Sequence, residues 1–264
     1  MPFHDSFYYE SHGDDKRPVA VFLHGFLGSG SSWQEIIDEL NKAYYCIRID
    51  LPGHGKSKAT RKSEFSMAHC AKNVVGLLAH LNLKKYHLIG YSLGGRLALF
   101  IALNYGMKID KLVLESSSPG LKTKKERLER KKSDEWLARE LEKGSFKQFL
   151  EEWYSQPLFE SLKNDKKRFP ALLKQRLKND PLELGKSLRY MGTGVQPSLW
   201  GKLENLRPPT LLIVGEHDRK FQLIASEMSS QSKKITVNCV TGAGHNVHFE
   251  KPGQFASVLK NFLN

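Results

Sequence analysis

The chain has 264 residues, 40% of them apolar and 26% charged, which excludes a mainly disordered chain and suits one large domain or a core with an insertion. No run approaches the roughly eighteen uninterrupted apolar residues of a membrane-spanning helix, so none is expected. Forty-one lysines and arginines against 28 aspartates and glutamates give a formal charge of +13, which leaves nucleic acid, an anionic membrane surface or a small polyanion open as partners.

The opening Met1–Ser6 has neither a basic region nor an apolar run after it, so no export signal is expected. Short apolar runs bounded by turn residues then predict buried strands at Val19–Leu23, Tyr44–Ile49, Tyr86–Ile89 and Lys111–Leu114. Between them, stretches near 31–41, 64–81 and 93–105 carry helical periodicity. This alternation predicts a mostly parallel sheet with helices on both faces. It breaks at 121–198, a charged helical stretch without a clear strand that holds Trp136, Trp153 and Tyr154. It resumes with a strand at Thr210–Val214, a helix near 221–230, a strand at Ile235–Val240 and a last helix from about 252. The reading is an α/β core of residues 1–120 and 199–264 with a helical cap inserted at 121–198. The cap holds +7 of the charge, more than half in under a third of the chain. Cys46, Cys70 and Cys239 are dispersed and lack CxxC spacing, so reduced thiols in a cytoplasmic protein are expected, with no zinc site or disulfide framework.

The chemistry centres on Gly90-Tyr-Ser92-Leu-Gly94, a G-x-S-x-G sequence between an apolar strand and an Ala/Leu-rich helix. In that setting it predicts a nucleophile elbow that raises Ser92 on a strained turn at the top of the sheet. A serine hydroxyl needs a base, and the base needs an orienting acid. His245 follows the last predicted strand, with His248 as its local rival. Asp218 follows the Thr210–Val214 strand, with Glu115 and Glu216 as alternative acids. The order Ser92, Asp218, His245 is that of an α/β-hydrolase triad. Donors for a developing oxyanion are expected from the backbone N–H of Leu93 and of Phe26. His24 and His54 stand in glycine turns and read as structural hydrogen-bonding groups. The spacing Gly25-x-x-x-x-Gly30-Ser-Ser imitates a phosphate loop but lacks its lysine. Arg96, one turn along the helix from Ser92, would place a carboxylate-binding fork beside the nucleophile.

Together these segments resemble the 2-succinyl-6-hydroxy-2,4-cyclohexadiene-1-carboxylate (SHCHC) synthase family, α/β-hydrolase-fold enzymes of menaquinone biosynthesis. The resemblance rests on FLHGFLGS at 22–29, DLPGHGKS at 50–57, GYSLGGR at 90–96, ESSSPGL at 115–121 and RLERKKSD at 127–134. It continues through WYSQPLF at 153–159, KQRL at 174–177, YMGTGVQPSLW at 190–200, GEHDRKF at 215–221 and GHNVHFEKP at 244–252. It implies elimination of pyruvate from a polycarboxylate, without metal or cofactor, with Ser92 as a base activated by His245 and Asp218. It further implies carboxylate binding by Arg96, Arg130 and Arg176, and a pocket lined by Tyr91, Trp153, Tyr154 and Phe159. A small polycarboxylate partner, no nucleic acid or membrane, and a monomer or weak homo-oligomer are the matching expectations. The lysines at 122, 124, 125, 131 and 132 read as solvated surface. A carboxylester or C–C bond hydrolase of the same fold is the alternative. A nucleic-acid-binding protein would leave the serine, aspartate and histidine set unexplained.

Overall fold

The computed structural model describes residues 7–264 except Thr60, together with the backbone of residues 3–4. Within the stretch read for an export signal, residues 1, 2, 5 and 6 lie outside the described residues. Eight strands form one sheet: β1 (Phe3–His4), β2 (Phe7–His12), β3 (Val19–Leu23), β4 (Tyr45–Ile49), β5 (Tyr86–Tyr91), β6 (Ile109–Glu115), β7 (Thr210–Gly215) and β8 (Ile235–Val240). Their order is β1-β2-β4-β3-β5-β6-β7-β8. All pairings are parallel from β4 to β8, whereas β2 pairs antiparallel with both β1 and β4.

Strand periodicity divides the core into two layers, because successive side chains leave opposite faces of a sheet. Val21, Leu23, Leu88, Leu112, Leu114 and Leu212 face one layer. There they meet α2 (Met67–His80), α3 (Leu93–Tyr105) and α8 (Arg219–Ser230). Ala20, Phe22, Ile89, Val113, Leu211 and Ile213 face the other, against α1 (Gln34–Leu40) and α10 (Pro252–Leu263). Double-sided burial explains why these strands read as continuous apolar runs. Burying each such aliphatic side chain contributes about 1.5–3 kcal/mol.

Between β6 and β7 the chain forms α4 (Lys124–Lys143), α5 (Phe146–Ser155), α6 (Arg168–Arg176) and α7 (Pro181–Met191), with no strand. Helix α4 is almost wholly polar, and local interactions support it. Thr123 and Glu126 form a reciprocal capping box, and Arg130–Asp134 and Arg139–Glu135 pair four residues apart. These helices share an apolar cluster of Ala138, Leu141, Phe149, Leu150, Phe159, Leu172, Leu184 and Leu188. Leu27, from the loop after β3, is buried in the same cluster. The cap is therefore docked on the loop that carries Phe26, above the ends of the parallel strands. After β8 come the short α9 (Val247–Glu250) and then α10. No helix is long and apolar enough to cross a membrane among the described residues.

Candidate active site

Strand β5 ends at Tyr91 and α3 begins at Leu93, which leaves Ser92 alone at the turn. Its backbone lies at φ 48°, ψ −105°, a sparsely populated conformation for a residue with a side chain. Two glycines make the turn possible. A Cβ on Gly90 would run into the Gly94 carbonyl, and one on Gly94 into the Leu23 carbonyl. The serine stays at the strand–helix junction because its neighbours leave the chain no wider path. Leu93 is the first residue of α3, where a helix leaves backbone N–H groups without intrahelical partners.

The histidines and acids sort into pairs. His245 Nδ1 lies 2.6 Å from Asp218 Oδ2, with both side chains buried. Asp218 Oδ1 accepts the Phe221 N–H at 3.2 Å, so the carboxylate also caps α8. The His245 ring is bracketed by Phe221 at 4.7 Å, Tyr91 at 5.6 Å and Phe159 at 5.8 Å between centroids. Glu115 is taken by His248. Its carboxylate accepts the His248 backbone N–H at 3.0 Å and lies 2.6 Å from Nδ1. The His248 ring stacks on Trp33 at 4.1 Å. Glu216 accepts the Gly242 N–H at 2.8 Å, a loop-closing bond. Asp218 thus holds His245, while the rival acids Glu115 and Glu216 are engaged elsewhere.

A cavity of about 260 Å³ opens between sheet and cap, lined by Ser92, His245, Phe26, Leu93, Trp153 and Phe159. Arg96 and Arg130 line it too. Arg96 reaches across to α7, donating from Nη1 and Nη2 to the Met191 carbonyl at 3.1 Å and from Nη1 to Gln196 Oε1 at 2.5 Å. Burial lowers its pKa to about 10, with repulsion from Arg130 adding and Asp134 opposing. It remains a cation at neutral pH. Arg130 donates to Asp134 at 2.7 Å and keeps over a third of its side chain exposed. Arg176 lies elsewhere. It is buried and donates to Tyr154 Oη at 3.3 Å and Ser32 Oγ at 3.0 Å. With Tyr91 and Tyr154 it walls a small adjoining chamber of about 30 Å³ that shares Ser92, His245, Phe26, Trp153 and Phe159 with the main cavity. Trp153 packs on Phe26 at 5.2 Å and on Phe149 at 5.9 Å.

Several lining residues escape sequence reasoning. Behind the lining, Gln196 is buried and accepts from Arg96, and nothing in the GTGVQPSLW segment marks it locally for that role. Lys220 lines the cavity beside Phe221, and its only signal is its place two residues after Asp218. Ser116, Ser117 and Ser187 line it as well.

His24 and His54 support the site from beneath. His24 Nε2 accepts the Leu51 N–H at 2.9 Å and Nδ1 donates to the Gly25 carbonyl at 2.8 Å, which requires a neutral ring. The two rings lie 5.1 Å apart. Burial pushes His24 down to about 3; Arg176 adds repulsion, and the Gly25 hydrogen bond opposes. His54 is likewise lowered to about 3, by burial first and by His24 next. In the unfolded chain both take up protons near 6.5. Their contribution to stability is therefore complete above pH 6.5 and is lost as pH falls toward 3, at up to about 3 kcal/mol per pH unit for the two together. Urea unfolding at pH 7.5, 6 and 5 should show the midpoint falling steeply below 6.5; a midpoint flat down to pH 5 contradicts two buried neutral histidines.

Comparison with known proteins adds an independent line. Residues 18–252 match the model of the alpha/beta hydrolase fold family. A Bacillus subtilis protein named provisionally as a 2-succinyl-6-hydroxy-2,4-cyclohexadiene-1-carboxylate synthase is 38% identical over 95% of this chain and 92% of its own. A Citrobacter koseri protein carrying that name outright is 35% identical over 95% of this chain and 96% of its own. The solved structure of MenH from S. aureus superposes with a TM-score of 0.93 at 33% identity, covering 97% of each chain.

Proposed function

The chain belongs to the SHCHC synthase family within the α/β-hydrolase fold, and on that premise we propose that it is a carbon–oxygen lyase of menaquinone biosynthesis. Its substrate is 2-succinyl-5-enolpyruvyl-6-hydroxy-3-cyclohexene-1-carboxylate, from which it eliminates pyruvate. The observation that carries this reading is that Arg96 and Arg130 line one cavity with Ser92 and His245. An apolar ester has no use for two guanidinium groups beside the nucleophile, whereas a substrate with several carboxylates does.

In the proposed reaction Asp218 holds His245 with Nδ1–H toward its carboxylate, which leaves Nε2 as base. Ser92 Oγ removes the ring proton next to the succinyl ketone as its own proton passes to His245. The electron pair moves into the ketone, and the Phe26 and Leu93 N–H groups stabilise the resulting enolate. The ketone re-forms, the ring double bond shifts, and the bond between ring carbon and enolpyruvyl oxygen breaks. The departing enolpyruvate takes up the proton held by His245 and tautomerises to pyruvate. No acyl-enzyme forms. Arg96 and Arg130 hold carboxylates in the main cavity, and Arg176 serves the smaller chamber with Tyr91 and Tyr154. Trp153 and Phe159 keep the reacting centre dry.

The test supplies the enolpyruvyl substrate and a nitrophenyl ester in parallel. Pyruvate release in step with consumption of the first substrate, with ester turnover far slower, is expected. Brisk ester turnover without pyruvate would overturn the synthase reading in favour of a hydrolase.

A further inference from the structure

Three residues lining the main cavity carry hydroxyls for which the fold supplies no partner. Ser116 Oγ, Ser117 Oγ and Ser187 Oγ are buried and form no hydrogen bond among the described residues, yet all three residues line the cavity that holds Ser92. A buried hydroxyl left unpaired is unfavourable, so three around one cavity point to a ligand that completes them. Ser116 adds a second sign. It has a left-handed backbone, φ 44°, immediately after β6, where a residue with a side chain is strained.

The three serines share this cavity with Arg96. Ser117 packs against the first turn of α3, where a Cβ on Gly95 would lie 2.7 Å from its Oγ. Ser187 stands four residues before Met191 on α7, on the same helix face, and the Met191 carbonyl accepts from Arg96. The bonds of Arg96 to the protein all leave from Nη1 and Nη2, and its Nε–H donates to no group among the described residues. Hydroxyl donors around a guanidinium complement an oxyanion, because both can donate to carboxylate oxygens.

We propose that Ser116, Ser117 and Ser187 are substrate-positioning residues that, with Arg96, hold one carboxylate of the substrate in the main cavity. This rests on the synthase reading above. It assigns the subsite its neutral donors, which the arginines alone do not supply.

The test measures pyruvate release by the wild-type chain and by Ser117→Ala, Ser187→Ala and Ser187→Thr, with thermal unfolding of each. Each alanine variant is expected to raise KM about tenfold with kcat changed less than about twofold, the loss of one hydrogen bond to a charged group. Melting temperature should hold or rise, since each substitution removes an unpaired buried hydroxyl. Ser187→Thr, which keeps the donor, should retain a KM within about threefold of wild type. Unchanged KM in both alanine variants, with pyruvate still released by wild type, overturns the subsite alone. A wild-type chain that releases no pyruvate overturns the synthase reading and the subsite with it.

Discussion

Replacing Ser92 with alanine should lower kcat for pyruvate release by about 10³-fold or more, about 4 kcal/mol, while leaving KM near its wild-type value. The reason is its isolation at the elbow. Ser92 stands on a turn between β5 and α3, and it shares the cavity with His245, whose other ring nitrogen is committed to Asp218. In the proposed complex the substrate's carboxylates meet arginines and are untouched by the change, so binding should persist. His245→Ala should cost a similar factor, and the double variant little more, because the two act as one unit. The alanine retains the strained backbone without relieving it, so unfolding should shift by less than about 1 kcal/mol. Activity above a tenth of wild type in Ser92→Ala, measured by coupled pyruvate detection, contradicts a role in proton removal.

Arg96→Ala should have the largest effect on binding. Its guanidinium ties α3 to the Met191 carbonyl and Gln196 and presents charge to the cavity. Loss of one charge-assisted contact to a carboxylate predicts a KM rise of about 10- to 100-fold. Truncation also leaves Gln196 Oε1 and the Met191 carbonyl without their donor, so stability should fall by about 1–3 kcal/mol. Arg96→Lys separates these effects. A lysine keeps the charge but cannot reach two acceptors and a ligand with a planar fork, so KM should recover only in part. A KM for the polycarboxylate unchanged by Arg96→Ala, alongside a lowered melting temperature, would make Arg96 a purely structural tie.

The parallel strands are legible in the sequence because burial on both faces makes β3 and the Leu211–Val214 stretch of β7 uninterrupted apolar runs and leaves β5 mostly apolar. The antiparallel strand β2, FYYESH, escapes that reading. It lies outside the parallel stack, only Phe7 is buried, and its polar residues weaken any run. Predicted helices near 31–41 and 64–81 each open with a 3₁₀ turn, over Gly30–Trp33 and Lys62–Phe65, which periodicity does not distinguish.

At the site, the elbow is legible because its chemistry is local: two glycines, a serine, a strand before and a helix after. Chain order also singles out Asp218 with His245, but the engagement of the rival Glu115 by His248 is not legible. Glu115 ends β6 and Asp218 stands three residues beyond β7, His245 and His248 are three residues apart, and only the packed sheet sends Glu115 to Trp33-stacked His248. Arg176 shares residue type and cap origin with Arg130, yet the fold buries it behind Tyr154 while Arg130 faces the main cavity. The +13 charge divides in the same way. Arg189 is locked to Glu135 and Glu142, Arg168 to Glu35, and Lys122 to Glu227, while Arg96 and Arg130 face the cavity where an anion is proposed to bind.

The central claim is that Ser92 removes a proton and is never acylated. Rapid quenching of the enzyme with its enolpyruvyl substrate, followed by intact-mass measurement and pyruvate counting, tests it most directly. The account predicts one pyruvate per substrate consumed and an enzyme mass unchanged at every time point. A transient adduct on Ser92 that rises and decays with turnover would contradict it.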